Sequence, residues 1–101
     1  MAAYIFGTLI VDNWDWYREY KRVTEALVAK HGGRYLVKGG KNEKLEGDQR
    51  VADAIVLIEF PDDDAARSWY SDPDYANMIA LRKNSGVRTE LVLVEGFDGK
   101  D

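Results

Sequence analysis

Apolar side chains open the chain with the two-residue period of a strand. From Tyr4 to Val11, Ile5, Leu9 and Val11 fall on one face and Tyr4, Phe6 and Ile10 on the other. A strand that is apolar on both faces needs cover on both. The period then lengthens: Trp16, Tyr20, Val23, Leu27 and Val28 trace one stripe of a helix expected from about Trp14 to Lys30, capped by Asp12 or Asn13. Arg18, Lys21, Arg22 and Glu25 make its solvated face. Gly32-Gly33 suits a left-handed helix end, and Arg34 to Lys38 returns to strand character.

Gly39 to Gln49 is polar and glycine-rich, a surface loop and the expected mobile segment. The run Val51 to Phe60 is the most apolar strand, with Ile55, Leu57 and Glu59 on one face and Val56, Ile58 and Phe60 on the other. Pro61 ends it, and Asp62-Asp63-Asp64 offers an N-cap and favourable charge to a helix from Asp63 to Tyr70. Asp72 as N-cap and Pro73 at the first helical position open another helix to about Lys83, with Tyr75, Met78, Ile79 and Arg82 near one stripe. After Ser85-Gly86, Val87 to Glu95 forms the last strand, and Gly96 to Asp101 is a short polar tail.

Strand, helix, strand, strand, helix pair, strand predicts an α+β fold: ferredoxin-like βαββαβ, with a four-stranded antiparallel sheet and helices on one face, in a single domain over residues 1–101. The helices leave the second apolar face of the sheet bare. A homodimer packing sheet against sheet would cover it, giving a dimeric α+β barrel.

Composition narrows the function classes. Hydrophobic residues at 46% and charged residues at 32% place the chain among folded proteins rather than disordered ones. A net charge of −4, spread along the chain, supplies no basic footprint for nucleic acid and no polybasic membrane patch. There is no cysteine, which removes disulfides and thiolate chemistry and suits the cytoplasm. No stretch reaches the ~18 apolar residues of a membrane span, and the N-terminus lacks the basic start of a signal peptide, so the chain is expected to be mature as written.

The series His31-Gly-Gly-Arg-Tyr35, Glu46-Gly47, Ile58-Glu-Phe-Pro61, Ala65, Trp69-Tyr70-Ser71, Pro73, Tyr75, Leu81-Arg82 and Val94-Glu-Gly96 resembles the domain of unknown function 1330 family, within the dimeric α+β barrel superfamily. The resemblance runs over nearly the whole chain. It implies a ferredoxin-like subunit and a dimer with facing sheets. Superfamily relatives include heme-degrading and quinol-forming monooxygenases and small isomerases or dehydratases, often with a pocket between sheet and helices.

The residues themselves offer a short list of candidate chemistry. His31, the lone histidine, stands at a helix end, where it is either a general base or a partner of the last-turn carbonyls. Glu59, in phase with Ile55 and Leu57, is either a desolvated acid or base or the partner of Arg34, Arg82 or Arg88. Trp69, Tyr70, Tyr75, Trp16, Tyr17 and Tyr20 are core or the wall of a ligand pocket, and Arg82 binds a ligand carboxylate or a structural one. One histidine and no cysteine leave no metal set, and no nucleotide-binding, P-loop or nucleophile-elbow spacing occurs, so no cofactor is expected. Two readings remain: a cofactor-independent enzyme moving a proton on a small carbonyl or aromatic acid, with His31 or Glu59 as base, and a non-catalytic dimeric binding or structural module.

Overall fold

The computed structural model describes residues 1–97 and 99, so the expected polar tail lies, at 98, 100 and 101, outside the described residues. The elements are β1 (Ala3–Ile10), α1 (Tyr17–Lys30), β2 (Arg34–Gly39), β3 (Ala54–Phe60), α2 (Asp63–Tyr70), α3 (Pro73–Asn84) and β4 (Arg88–Glu95). All strand pairs are antiparallel and the sheet order is β2-β3-β1-β4, the ferredoxin-like arrangement expected from the element order.

The two-residue period sorts the strands as expected. Ile5 lies opposite Ile58 and Leu93, and these three pack with Phe60 beneath Leu27 and Val28 of α1, Trp69 of α2 and Tyr75 and Met78 of α3. All three helices therefore share one face of the sheet. A second cluster of Leu9, Val11, Trp16 and Val87 closes one end. Gly32 turns the chain with φ 78°, and Gly33 lets it pass so close that a Cβ there would sit 2.7 Å from the Phe60 ring.

The other sheet face stays bare. Phe6, Val92 and Val94 are 41%, 49% and 44% exposed, and among the described residues no helix lies over them.

Two boundaries and one register differ from the periodicity. Helix α1 starts at Tyr17 rather than Trp14, and no side chain caps it. Asn13 instead accepts from the Asp15 amide through its side chain at 2.7 Å and from the Trp16 indole through its carbonyl at 2.6 Å, so the first turn is spent on a local bend. Strand β3 begins at Ala54 rather than Val51. Asn42 donates to the carbonyls of Gly40 and Ala52, and Asp53 takes the Val11 amide at 2.7 Å, which turns the incoming chain before it can pair. In β2 the register slips between Tyr35 and Val37: Tyr35 pairs with Ile58, Val37 with Leu57 and Lys38 with Val56. This bulge moves Lys38 to the helix side, where strict alternation from Tyr35 would have turned it away.

Candidate functional site

Between the helix-bearing face of the sheet and helices α1 and α3 lies a cavity of about 410 Å³. Leu9, Val56, Ile58 and Leu91 form its floor, and Tyr17, Tyr20, Tyr35, Trp69 and Tyr75 line its sides. The aromatic rings hold one another: Trp69 stacks on Tyr75 at 4.5 Å, and the hydroxyls of Tyr20 and Tyr75 are 2.7 Å apart. Burial pushes the phenols of Tyr75 and Tyr35 far above their ordinary range and raises that of Tyr17. They remain neutral hydroxyls, able to donate.

Arg82 lines the deep part of the cavity, 2% exposed, with its guanidinium carbon 5.8 Å from the centre of the Tyr20 ring. Among the described residues, the buried side-chain polar atoms without a hydrogen-bond partner are Thr24 Oγ1, Trp69 Nε1, Arg82 Nε and Nη1, and Thr89 Oγ1. All four residues line this one cavity. Polar atoms in a folded interior are nearly always satisfied, and a buried cation without an anion is costlier still. Three of the five atoms only donate, so the cavity presents a concentrated demand for acceptors.

The exposed end of the cavity carries Lys21, Glu25 and Lys38 beside Gly39 and Gly40. Lys38 pairs with Glu25 and lies 5.0 Å over the Tyr35 ring. Burial, and secondarily Lys21, pull the Lys38 ammonium below its ordinary range.

The structure gathers Arg82, Trp69, Tyr75, Tyr17 and Tyr20 into this cavity and leaves the other candidates outside it. Tyr70 is 46% exposed and packs edge-on against Tyr75 from beyond the lining. His31 ends α1 with Nε2 2.8 Å from Oδ2 of Asp72, which also receives Lys30 at 2.9 Å. Asp72 caps α3 with its other oxygen, and these hydrogen bonds, His31 first, hold its carboxyl well below the usual range. Glu59 faces the bare side of the sheet, accepting from Arg34 Nε at 2.7 Å and the Tyr4 hydroxyl at 3.1 Å. Those bonds, Arg34 first, lower its pKa, the reverse of the shift that would poise a carboxyl as a base near neutrality. Asp12 is exposed and caps nothing, and the capping role falls to Asp62 and Asp72.

Several lining residues were not singled out from the sequence. Thr24 and Thr89 were within reach, since Thr24 follows Tyr20 by one helical turn and Thr89 is in phase with Leu91 and Leu93. Lys38 was not, because a bulge leaves no mark on the alternation.

No group of His, Cys, Asp or Glu among the described residues is placed to hold a metal, and no described helix is long and apolar enough to cross a membrane.

A family model described as "Domain of unknown function (DUF1330)" matches residues 2–97. A protein of unknown function from Rhodopseudomonas palustris is 17% identical, with a TM-score of 0.74 over 96% of this chain and 83% of that one. A dimeric ferredoxin-like protein of unknown function from Jannaschia sp. CCS1 is also 17% identical, with a TM-score of 0.72 over 95% and 100%. A cofactor-independent oxygenase from Streptomyces nogalater is 15% identical, with a TM-score of 0.66 over 98% and 96%. No curated protein matches.

Proposed function

The chain belongs to the family described as domain of unknown function DUF1330, and we propose that it is a homodimeric protein whose sheet–helix cavity binds a small aromatic or carbonyl acid through Arg82. The observation that carries this reading is the buried, unpaired guanidinium opening onto an apolar, aromatic-walled cavity. A ligand carboxylate meets it with two parallel, charge-assisted hydrogen bonds and removes the cost of the lone charge. Neutral tyrosines and the Trp69 indole supply further donors and flat surface for a planar body. The volume falls within the roughly 300–1,000 Å³ of ligand-binding cavities.

A catalytic form of this reading draws on the same geometry. A cation and neutral donors converging on one region stabilise negative charge as a bound acid becomes an enolate or phenolate, which needs no cofactor. The likeness to an oxygenase described as cofactor-independent supports it at the level of fold. His31 and Glu59 serve structure here, since each is engaged by protein partners away from the cavity.

The proposed dimer pairs the bare sheet faces of two subunits; the exposed Phe6, Val92 and Val94 and the likeness to a ferredoxin-like protein described as dimeric support it.

The test is a thermal-shift screen with small aromatic and 2-oxo carboxylic acids against their neutral amides, in the native protein and in Arg82→Gln. Binding to the folded state raises Tm with ligand concentration. The acids should raise it in the native protein only. Equal shifts with the amides, or shifts that survive Arg82→Gln, would overturn the reading.

A further inference from the structure

We propose that Lys38 is a specificity-determining residue that receives a second acidic group of the ligand, so that the preferred ligand is a planar diacid spanning the cavity from Arg82 to its open end. This inference rests on the Arg82 reading and adds a second anchor to it.

The first support is the bulge in β2. It brings Lys38 level with Val56 on the helix side, where both line the cavity, and at the same time turns Val37 level with Leu57 on the bare face. Without the register shift, Lys38 would point to the bare face. A bulge costs ladder pairing, and bulges concentrate where a side chain must be re-aimed beside a site. An exposed lysine with no task beyond solubility needs no such device.

The second support is charge. The chain carries a net charge of −4, yet this cavity is lined by three cations, Lys21, Lys38 and Arg82, against the single carboxylate of Glu25. The cations stand at two places. Arg82 is buried, while Lys21 and Lys38 are at the exposed end, with the tyrosine-lined sides between. One carboxylate at Arg82 leaves the outer cations with Glu25 alone. The Lys38 ammonium stays disfavoured by burial and by Lys21 even with Glu25 at hand, so a further anion is welcome there. In the empty protein Glu25 occupies the place that the second acidic group would share or take.

Planarity follows from the walls. Tyr17, Tyr20 and Tyr35 flank the route between the two cationic places, and flat rings accept a flat, conjugated body with the least reorganisation. A flexible aliphatic diacid could reach both anchors but would lose more rotational freedom on binding.

The experiment is titration calorimetry at low salt with matched pairs of different length: benzoate against benzene-1,4-dicarboxylate, and cinnamate against 4-carboxycinnamate. At least one diacid should bind about tenfold or more tightly than its monoacid, the gain of one added charge-assisted contact. Lys38→Met should remove that preference and leave monoacid affinity within about twofold, a discrimination below half a tenfold step. Lys38 stands at the open end of the cavity on an edge strand, and Met keeps its apolar stem, so this variant is expected to stay folded, which the Tm measured alongside checks. Glu25→Gln should favour the diacid further. If monoacid and diacid bind equally, or the preference survives Lys38→Met, the Lys38 assignment is overturned while the Arg82 reading stands. If no acid of either kind binds, both fall together.

Discussion

His31 Nε2 lies 2.8 Å from Asp72 Oδ2, joining the C-terminal end of α1 to the N-terminal end of α3 across 41 positions of sequence. Lys30 reaches the same oxygen at 2.9 Å, and the other oxygen caps α3 through the Asp74 amide. These partners hold the folded pKa of Asp72 below its ordinary 3.8. A depressed carboxyl stabilises the fold fully above its unfolded value, and that contribution is lost as pH falls from about 4 toward the folded pKa. Asp72→Asn keeps a capping oxygen but loses the charge. Urea unfolding should show a lower midpoint for the variant at neutral pH and a shallower loss of stability below about pH 4. Parallel acid limbs for the two proteins would exclude Asp72 as the source.

Arg82 gives the opposite sign. Its guanidinium is buried without a carboxylate among the described residues, so the empty protein bears a cost that ligand is proposed to relieve. Arg82→Met, which keeps much of the side-chain volume, should raise the Tm of the ligand-free protein by about 4–8 °C, the shift that ~1 kcal/mol gives in a domain of this size. The same variant should show no shift with acids. Functional sites commonly trade stability for activity in this way. A fall in Tm would mean that Arg82 holds the fold together and is not an unsatisfied binding group.

The sequence made the fold legible because its apolar periods switch cleanly between two and 3.6. Alternation separates Ile5 from Phe6, Leu57 from Ile58 and Val92 from Leu93 within each strand, and the pairing register then brings Ile5, Ile58 and Leu93 to one face. Part of the site was legible too, since Tyr75, Met78 and Arg82 shared a stripe with a charge in it. What the pattern could not carry were relations between distant segments. His31 meets Asp72 rather than a nearby carbonyl, and Glu59 meets Arg34 across the β2–β3 pair on the face without helices. Lys38 escaped for a different reason: a single extra residue in a ladder inverts the alternation after it, and only the pairing partner reveals that.

Gly7 sits in β1 between Val56 and Leu91, and a Cβ there would lie 2.9 Å and 2.7 Å from methyl groups of these two residues. Both line the cavity. Gly7→Ala should therefore push their side chains into the empty space rather than break the sheet, costing about 1 kcal/mol, the low end of overpacking. Acid binding should weaken well beyond that of a Ser68→Ala control, at an exposed position of α2 outside the cavity. Unchanged binding would show that the cavity is larger than its ligand on that side.

The bare sheet face provides the final prediction. Phe6 lies between Leu57 and Val92, so its side chain is near the middle of the apolar patch and far from the helix-side cavity. Sheet-on-sheet packing would bury on the order of 800 Å² per partner in a standard interface. A charge at its centre would be desolvated without a partner. Sedimentation velocity at micromolar concentration should show a dimer for the native protein and a monomer for Phe6→Glu, while Ser68→Glu, an exposed position on α2, remains dimeric. Because Phe6 points away from Arg82 and the tyrosines, a folded Phe6→Glu monomer should still show the acid-dependent rise in Tm. A native monomer would overturn the dimer. A dimer that dissociates together with loss of acid binding would mean that the partner subunit completes the cavity, which the two opposed faces of this sheet argue against.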